Sequence, residues 1–264
     1  MALQGLHTAA SQTPAKGGRK VDGGLVYAIG DVHGCYDQMR GLLARIMADV
    51  AERGAGRRPI VIFCGDYVDR GPRSFEVLDA LCWLQRRADF ELHLLKGNHE
   101  QALLDFLTTP EDGDEWLEFG GLTTLASYGV EPPRAAAGPQ DYQRARDELL
   151  DNMPAAHLRL LDQLELMVSL GDYAFVHAGI RPNCSLDRQV EDDLLWIRSD
   201  FLDATGPHEK VIVHGHSWSG ENPDIQAHRI GIDTGAYQTG VLTALRLEDG
   251  QVEPIQFRTG AGAC

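Results

Sequence analysis

The stretch Leu25-Val26-Tyr27-Ala28-Ile29-Gly30-Asp31-Val32-His33-Gly34 decides the reading of this chain. An unbroken apolar run, without polar alternation, predicts a strand buried on both faces, and Gly30 stops it. A carboxylate and an imidazole follow at once, bracketed by glycines that let backbone pass close to a crowded site. In extended chain, positions i and i+2 face the same way, so Asp31 and His33 are expected to reach one centre. The same construction recurs. Ile60–Phe63 leads into Gly65-Asp66-Tyr67-Val68-Asp69-Arg70-Gly71, and Leu92–Leu95 into Gly97-Asn98-His99-Glu100. Further on, Tyr173–Val176 leads into His177-Ala178-Gly179, and Val211–Val213 into His214-Gly215-His216. Ligands of open α/β sheets gather outside the carboxyl ends of the strands. Asp, His, Asn and Arg side chains are thus delivered to one rim.

Helical spacing fills the gaps between the first strands. Met39, Leu42, Leu43, Ile46, Met47 and Val50 form one apolar stripe. Ser74 is placed to cap a second helix carrying Phe75, Leu78, Leu81 and Cys82, and Gln101–Leu107 forms a third. Strand–helix alternation predicts a layered α/β fold around a largely parallel sheet. Ile230–Ile232 is another strand, and Val241–Leu247 and Val252–Phe257 form a hairpin across Glu248-Asp249-Gly250. Residues 1–22 read as a flexible N-terminal arm and 23–260 as a single domain. Within it, residues 108–165 are polar and helix-prone, broken by Pro132-Pro133 and Pro154, and are expected to form a helical insertion able to cap the site. Trp83 is expected in the core, and Trp196 and Trp218 in core or rim packing.

The 264 residues are 43% hydrophobic and 24% charged, an ordinary globular composition. The net charge of −15 argues against binding duplex nucleic acid or an anionic membrane. An anionic substrate would need local positive charge at its site. No apolar run approaches the ~20 residues of a membrane helix, and no secretory leader pattern is visible. Cys35, Cys64, Cys82, Cys184 and Cys264 are odd in number and widely spaced, which reads as free thiols in the cytoplasm. Carboxylate oxygens combined with imidazoles suit Mn, Fe or Zn better than a thiolate-bound metal.

The motifs at Gly30–Gly34, Gly65–Gly71 and Gly97–Glu100, with Asp31, Asp66 and Asn98 spaced 35 and 32 residues apart, resemble the PPP-type serine/threonine phosphoprotein phosphatases. These belong to the calcineurin-like metallophosphoesterases, and the likeness is nearest to the small bacterial and phage enzymes. It covers roughly residues 25–245 and implies central mixed β-sheets flanked by helices. It also implies that Asp31 and His33 bind one divalent metal, that Asp66 bridges to a second, and that Asn98, His177 and His216 complete the second. His214 then stands behind the ligands. His99 would be the general acid with Asp69 as its partner, and Arg70 and Arg198 would bind the substrate phosphate. Asp233 and Thr234 would be structural support.

The resemblance further implies two divalent ions, manganese first, with Fe, Zn, Co, Ni or Mg as alternatives. It implies that a hydroxide supplied by the two ions would attack phosphorus directly while His99 would protonate the leaving group. The expected substrate is a phosphorylated protein or a small phosphoester, and the expected activity is a protein serine/threonine phosphatase. The alternative is a symmetrical dinucleoside tetraphosphate hydrolase or a broad-specificity phosphoesterase. Asp69 and Glu100, where the tetraphosphatase branch typically has Asn and Asp, favour the protein phosphatase. A catalytically silent binding module is the third reading, and the full ligand set speaks against it.

Overall fold

The computed structural model describes residues 19–21, 23–53, 56–133 and 138–260. The first strand, β1 (Leu25–Ile29), shows why its sequence does not alternate. Leu25, Tyr27 and Ile29 pack into a helix-side core, while Val26 and Ala28 pack into a second core on the opposite face. Helix α1 (Tyr36–Arg53) returns the chain to β2 (Ile60–Phe63), and α2 (Ser74–Arg87) to β3 (Glu91–Leu94). Strands β1, β2 and β3 are parallel, with Val26 opposite Ile60 and Ile60 opposite Glu91.

The middle of the chain is helical: α3 (Asn98–Thr108), α4 (Asp114–Trp116), α5 (Leu122–Ser127), α6 (Pro139–Asn152) and α7 (Ala155–Asp162). A π-helical turn, Leu117–Gly121, joins α4 to α5 and kinks at Gly120, whose φ is 126°. This stretch packs its apolar residues, including Trp116, Leu125, Leu149 and Leu161, onto the same core as α1 and α2.

The second half builds its own sheet from β4 (Met167–Leu170), β5 (Tyr173–Val176), β6 (Val211–His214), β7 (Asp224–Ile225) and β8 (Arg229–Gly231), with short helices α8 (Glu191–Trp196) and α9 (Ser199–Leu202) between β5 and β6. Its order is β4-β5-β6-β8-β7. After α10 (Ala236–Thr239), the hairpin β9 (Val241–Glu248) and β10 (Gln251–Arg258) crosses back to the first sheet, giving the order β10-β9-β1-β2-β3 with β9 antiparallel to β1. The two sheets face each other. Val26, Ala28 and Ile62 of one meet Phe175, Val213 and Ile230 of the other, while Ala174, Val176 and Ile212 turn outward under Leu194 and Phe201. The result is a helix–sheet–sheet–helix sandwich.

The α/β reading and most strand positions agree with this architecture, with several corrections. The largely parallel sheet read from the strand–helix alternation is instead two mixed sheets, as the family resemblance implied, because β9 and β4 add antiparallel partners. Ser74 caps nothing; Arg73 precedes the helix, and the Ser74 hydroxyl points instead at the Asp69 loop. Trp83 is 56% exposed, on the solvent side of α2. Cys64, Cys82 and Cys184 are free thiols as expected, but Cys35 is disulfide-bonded and Cys264 lies outside the described residues. Most of the expected N-terminal arm also lies outside them. At its described end, Val21 is buried and the Lys20 backbone N–H donates to the Asp172 carboxylate at 2.7 Å. No helix among the described residues is long and apolar enough to cross a membrane.

Candidate active site

The loops leaving β1, β2, β3, β5 and β6 meet at one edge of the sandwich. The loop after β2 is the hub. Its Asp66 carbonyl accepts the backbone N–H groups of Val32 and His33 at 3.0 and 2.8 Å, and the Tyr67 carbonyl accepts that of Gly34 at 2.8 Å. Glycines make this closeness possible. A Cβ on Gly97 would stand 2.1 Å from Asp66 Oδ1, and one on Gly215 would stand 2.0 Å from Asp31 Oδ1. Of the described non-glycine residues with positive φ, all but Asn183 and Asp249 are expected site residues: His33 (45°), Asp66 (52°), Asp69 (71°), Arg70 (66°) and His216 (61°). Backbone strain is therefore concentrated at this edge. It also corrects the extended-chain argument for Asp31 and His33, since His33 is delivered by a left-handed turn.

The Asp66 carboxylate lies between two sets of imidazoles. With His33 and His99 it forms one group, and with His177 and His216 another, each having its potential ligand atoms within 4.8 Å of one another. His33 Nε2 is 3.4 Å from Asp66 Oδ2, and His177 Nε2 is 3.4 Å from Asp66 Oδ1. Asn98 Oδ1 is 2.8 Å from His177 Nε2 and 2.9 Å from His216 Nδ1. Asp31 joins through the His216 backbone N–H, which lies 3.1 and 3.0 Å from its two oxygens. His214 stands apart; its ring packs edge-on against Phe201.

The electrostatics sort these groups. Burial by itself raises the Asp66 pKa, but His177, His99 and His33 outweigh it and hold the carboxyl well below the usual carboxylate range. The His99 backbone N–H at the start of α3 adds a bond to Asp66 Oδ1 at 3.1 Å. Burial, then Asp233 and Asp66, push Asp31 up. Burial pushes His33 and His177 down, against the pull of Asp66, and takes His216 to about 2. His99 is the exception. Burial lowers it, but Asp66 and the bond to Asp69 leave its pKa raised.

The residues fit a pair of divalent cations. Carboxylate and amide oxygens with neutral imidazoles form the donor set that hard and borderline ions take. His216 Nε2 is buried with no hydrogen-bond partner. His33 Nδ1 and His177 Nδ1 lie 2.9 and 2.7 Å from the carbonyls of Val68 and Cys64, which orients both rings.

Around this centre, His99 Nδ1 is 2.7 Å from Asp69 Oδ2, leaving Nε2 directed inward, 4.0 Å from Asp66 Oδ2. The Arg70 guanidinium stacks 4.8 Å over the Tyr237 ring, which also meets His33 edge-on. The positive field of Arg198 reaches His177 and His216. Thr234 bonds the Val241 carbonyl at 2.7 Å, and the Gly235 backbone N–H donates to Asp233 Oδ1 at 2.9 Å. Glu100, Trp116, Thr124 and Tyr237 carried no expected role. Glu100 alone had a visible signal, as the last residue of the Gly97–Glu100 motif. A cavity of about 330 Å³ lies along the outer part of α3, walled by Phe106, Trp116, Phe119 and Trp196 and edged by Asp105, Asp112, Glu115 and Asp192.

Comparison with known proteins agrees with this geometry. The chain is 29% identical over 238 residues to the asymmetrical bis(5'-nucleosyl)-tetraphosphatase PrpE of Geobacillus thermodenitrificans, covering 83% of this chain and 88% of that one. It is 27% identical over 232 residues to serine/threonine-protein phosphatase 2 of Salmonella typhimurium, covering 84% and 93%. The structure of a serine/threonine phosphatase from Saccharomyces cerevisiae superposes with a TM-score of 0.53 at 15% identity, over 92% of this chain and 84% of that one, which shows a shared fold. The family model described as Calcineurin-like phosphoesterase matches residues 24–234, so the chain belongs to that family and is a metal-dependent phosphoric ester hydrolase.

Proposed function

We propose that this protein is a dinuclear phosphomonoesterase acting on phosphoserine and phosphothreonine in proteins. The observation that carries this reading is the buried Asp69–His99 pair beside an Asp66 carboxylate shared by two imidazole groups. Asp31, His33 and Asp66 would hold one divalent ion, and Asp66, Asn98, His177 and His216 the other. When bound, the pair, manganese first, lowers the pKa of water and offsets phosphoryl charge. Arg70 and Arg198 bind and orient the phosphoryl oxygens. Asp69 keeps the His99 Nδ1 proton engaged, so that Nε2–H faces the departing oxygen. As the P–O bond breaks, that proton moves to the alkoxide. The strained loops fix these side chains before substrate arrives, so orientation is not bought during the reaction.

The acidic edge of the cavity walled by Trp116, whose indole N–H bonds Asp69, adds to this reading. Asp105, Asp112, Glu115 and Asp192 repel a polyphosphate chain and favour a leaving group carrying basic residues. A cytoplasmic location suits such a substrate. The second reading, hydrolysis of a dinucleoside tetraphosphate, is favoured by the name of the Geobacillus relative. Turnover of a phosphoserine peptide and of diadenosine tetraphosphate by the manganese-loaded chain tests the choice. A kcat/KM at least tenfold higher for the peptide is expected, and the reverse order replaces the first reading with the second.

A further inference from the structure

The Asp69 carboxylate is fully buried, and its hydrogen bonds can be counted atom by atom. Oδ2 faces His99 Nδ1 at 2.7 Å and accepts the Trp116 indole N–H at 3.0 Å. Oδ1 accepts the Thr124 hydroxyl at 2.6 Å. The Asp69 backbone N–H, held at φ 71°, is shared between Thr124 Oγ1 at 2.9 Å and Ser74 Oγ at 3.1 Å. Since the single Thr124 proton goes to Asp69, Ser74 must donate in the 3.0 Å bond between the two hydroxyls. The ring closes with every proton assigned. Trp116 and Thr124 are buried themselves and lie on either side of the Gly120 kink, in a stretch that also meets the site where the Gly120 carbonyl accepts the Arg70 backbone N–H. The Trp116 ring is fixed by Phe106, 4.6 Å away between centroids.

We propose that Trp116 and Thr124 are positioning residues: they hold the Asp69 carboxylate in the one rotamer that keeps His99 directed at the leaving group. The helical stretch at 114–124 then acts on catalysis from behind the general acid. This rests on the reading of His99 as that acid. A carboxylate that loses a donor turns or draws the proton differently, and a displaced His99 costs rate only where the leaving group needs its proton.

The test uses the full chain loaded with manganese and two substrates, phenyl phosphate with a poor leaving group and p-nitrophenyl phosphate with a good one. Trp116→Phe deletes the indole N–H and keeps a ring against Phe106. Thr124→Val deletes the hydroxyl at equal volume, and Thr124→Ser restores it. Each deletion should lower kcat on phenyl phosphate about tenfold or more, with a clearly smaller loss on p-nitrophenyl phosphate and little change in KM. Thr124→Ser should recover the loss. In the metal-free chain, the downfield His99 Nδ1–H proton resonance should shift and exchange faster in both deletion variants. Equal losses on the two substrates, no loss at all, or an unmoved resonance overturn the proposal. His99→Asn is the control: if it shows no leaving-group dependence, the general-acid reading fails and takes this one with it.

Discussion

Glu100 Oε2 accepts the Asp66 backbone N–H at 2.8 Å, while its Oε1 accepts those of Tyr67 at 2.7 Å and Val68 at 3.2 Å. One carboxylate in the first turn of α3 thus clamps the loop that carries Asp66, and Gly97 N–H adds a further donor at 3.0 Å. A glutamine offers an amide nitrogen to one set of these donors. Glu100→Gln should therefore cost about 1–3 kcal/mol of stability in urea unfolding and weaken manganese binding. Unchanged stability would show that the clamp carries no weight.

Gly120 is held at φ 126°, where its carbonyl accepts the Arg70 N–H at 3.3 Å and an added Cβ would stand 2.7 Å from that nitrogen. Gly120→Ala should destabilise the chain by about 1–3 kcal/mol. It should also raise KM for p-nitrophenyl phosphate by displacing Arg70. A stable variant with native KM would contradict the contact.

His93, outside the site, lies 2.8 Å from Glu165 and 3.0 Å from Glu91. Burial lowers its pKa, but the two carboxylates outweigh it and the net shift is upward. A raised folded pKa contributes stability that is full below the unfolded value of about 6.5 and lost as pH rises through the folded value. The Tm gap between the native chain and His93→Gln should therefore be larger at about pH 6 than at about pH 9. A gap that is constant or grows with pH would reverse the sign.

Asp66 belongs to both imidazole groups, whereas Asp31 belongs to neither and is tied in by the His216 backbone N–H. Asp66→Asn should abolish tight binding of both ions and reduce phosphatase activity to background. Asp31→Asn should weaken one ion more than the other. Manganese analysis after gel filtration reads both, and equal retention by the two variants would argue against a shared carboxylate.

The strand ends were legible because each apolar run stops at a glycine and a polar ligand, a local signal. Asp31, His33, Asp66, Asn98, His177 and His216 are all found in or beside the two imidazole groups. The choice of His216 over His214 followed the family pattern; His216 lies in the second imidazole group, while the His214 ring packs against Phe201. What the sequence hid is non-local. Trp116 and Thr124 reach Asp69 from 47 and 55 residues away with no periodicity to mark them. Ser74 reads as a cap because hydroxyls usually are caps at helix starts, but its oxygen is claimed by the Asp69 loop. Short strands such as Asp224–Ile225 carry too few residues to show a pattern. Trp83 reads as core by its apolar bulk, yet α2 turns that face outward.

The central claim is that Asp66 is shared by two cations. Anomalous diffraction from crystals grown with manganese tests it most directly. Two peaks about 3.5–4 Å apart, one on the His33 side of Asp66 and one on the His177 and His216 side, are the predicted result. A single peak, or peaks away from Asp66, would contradict the account.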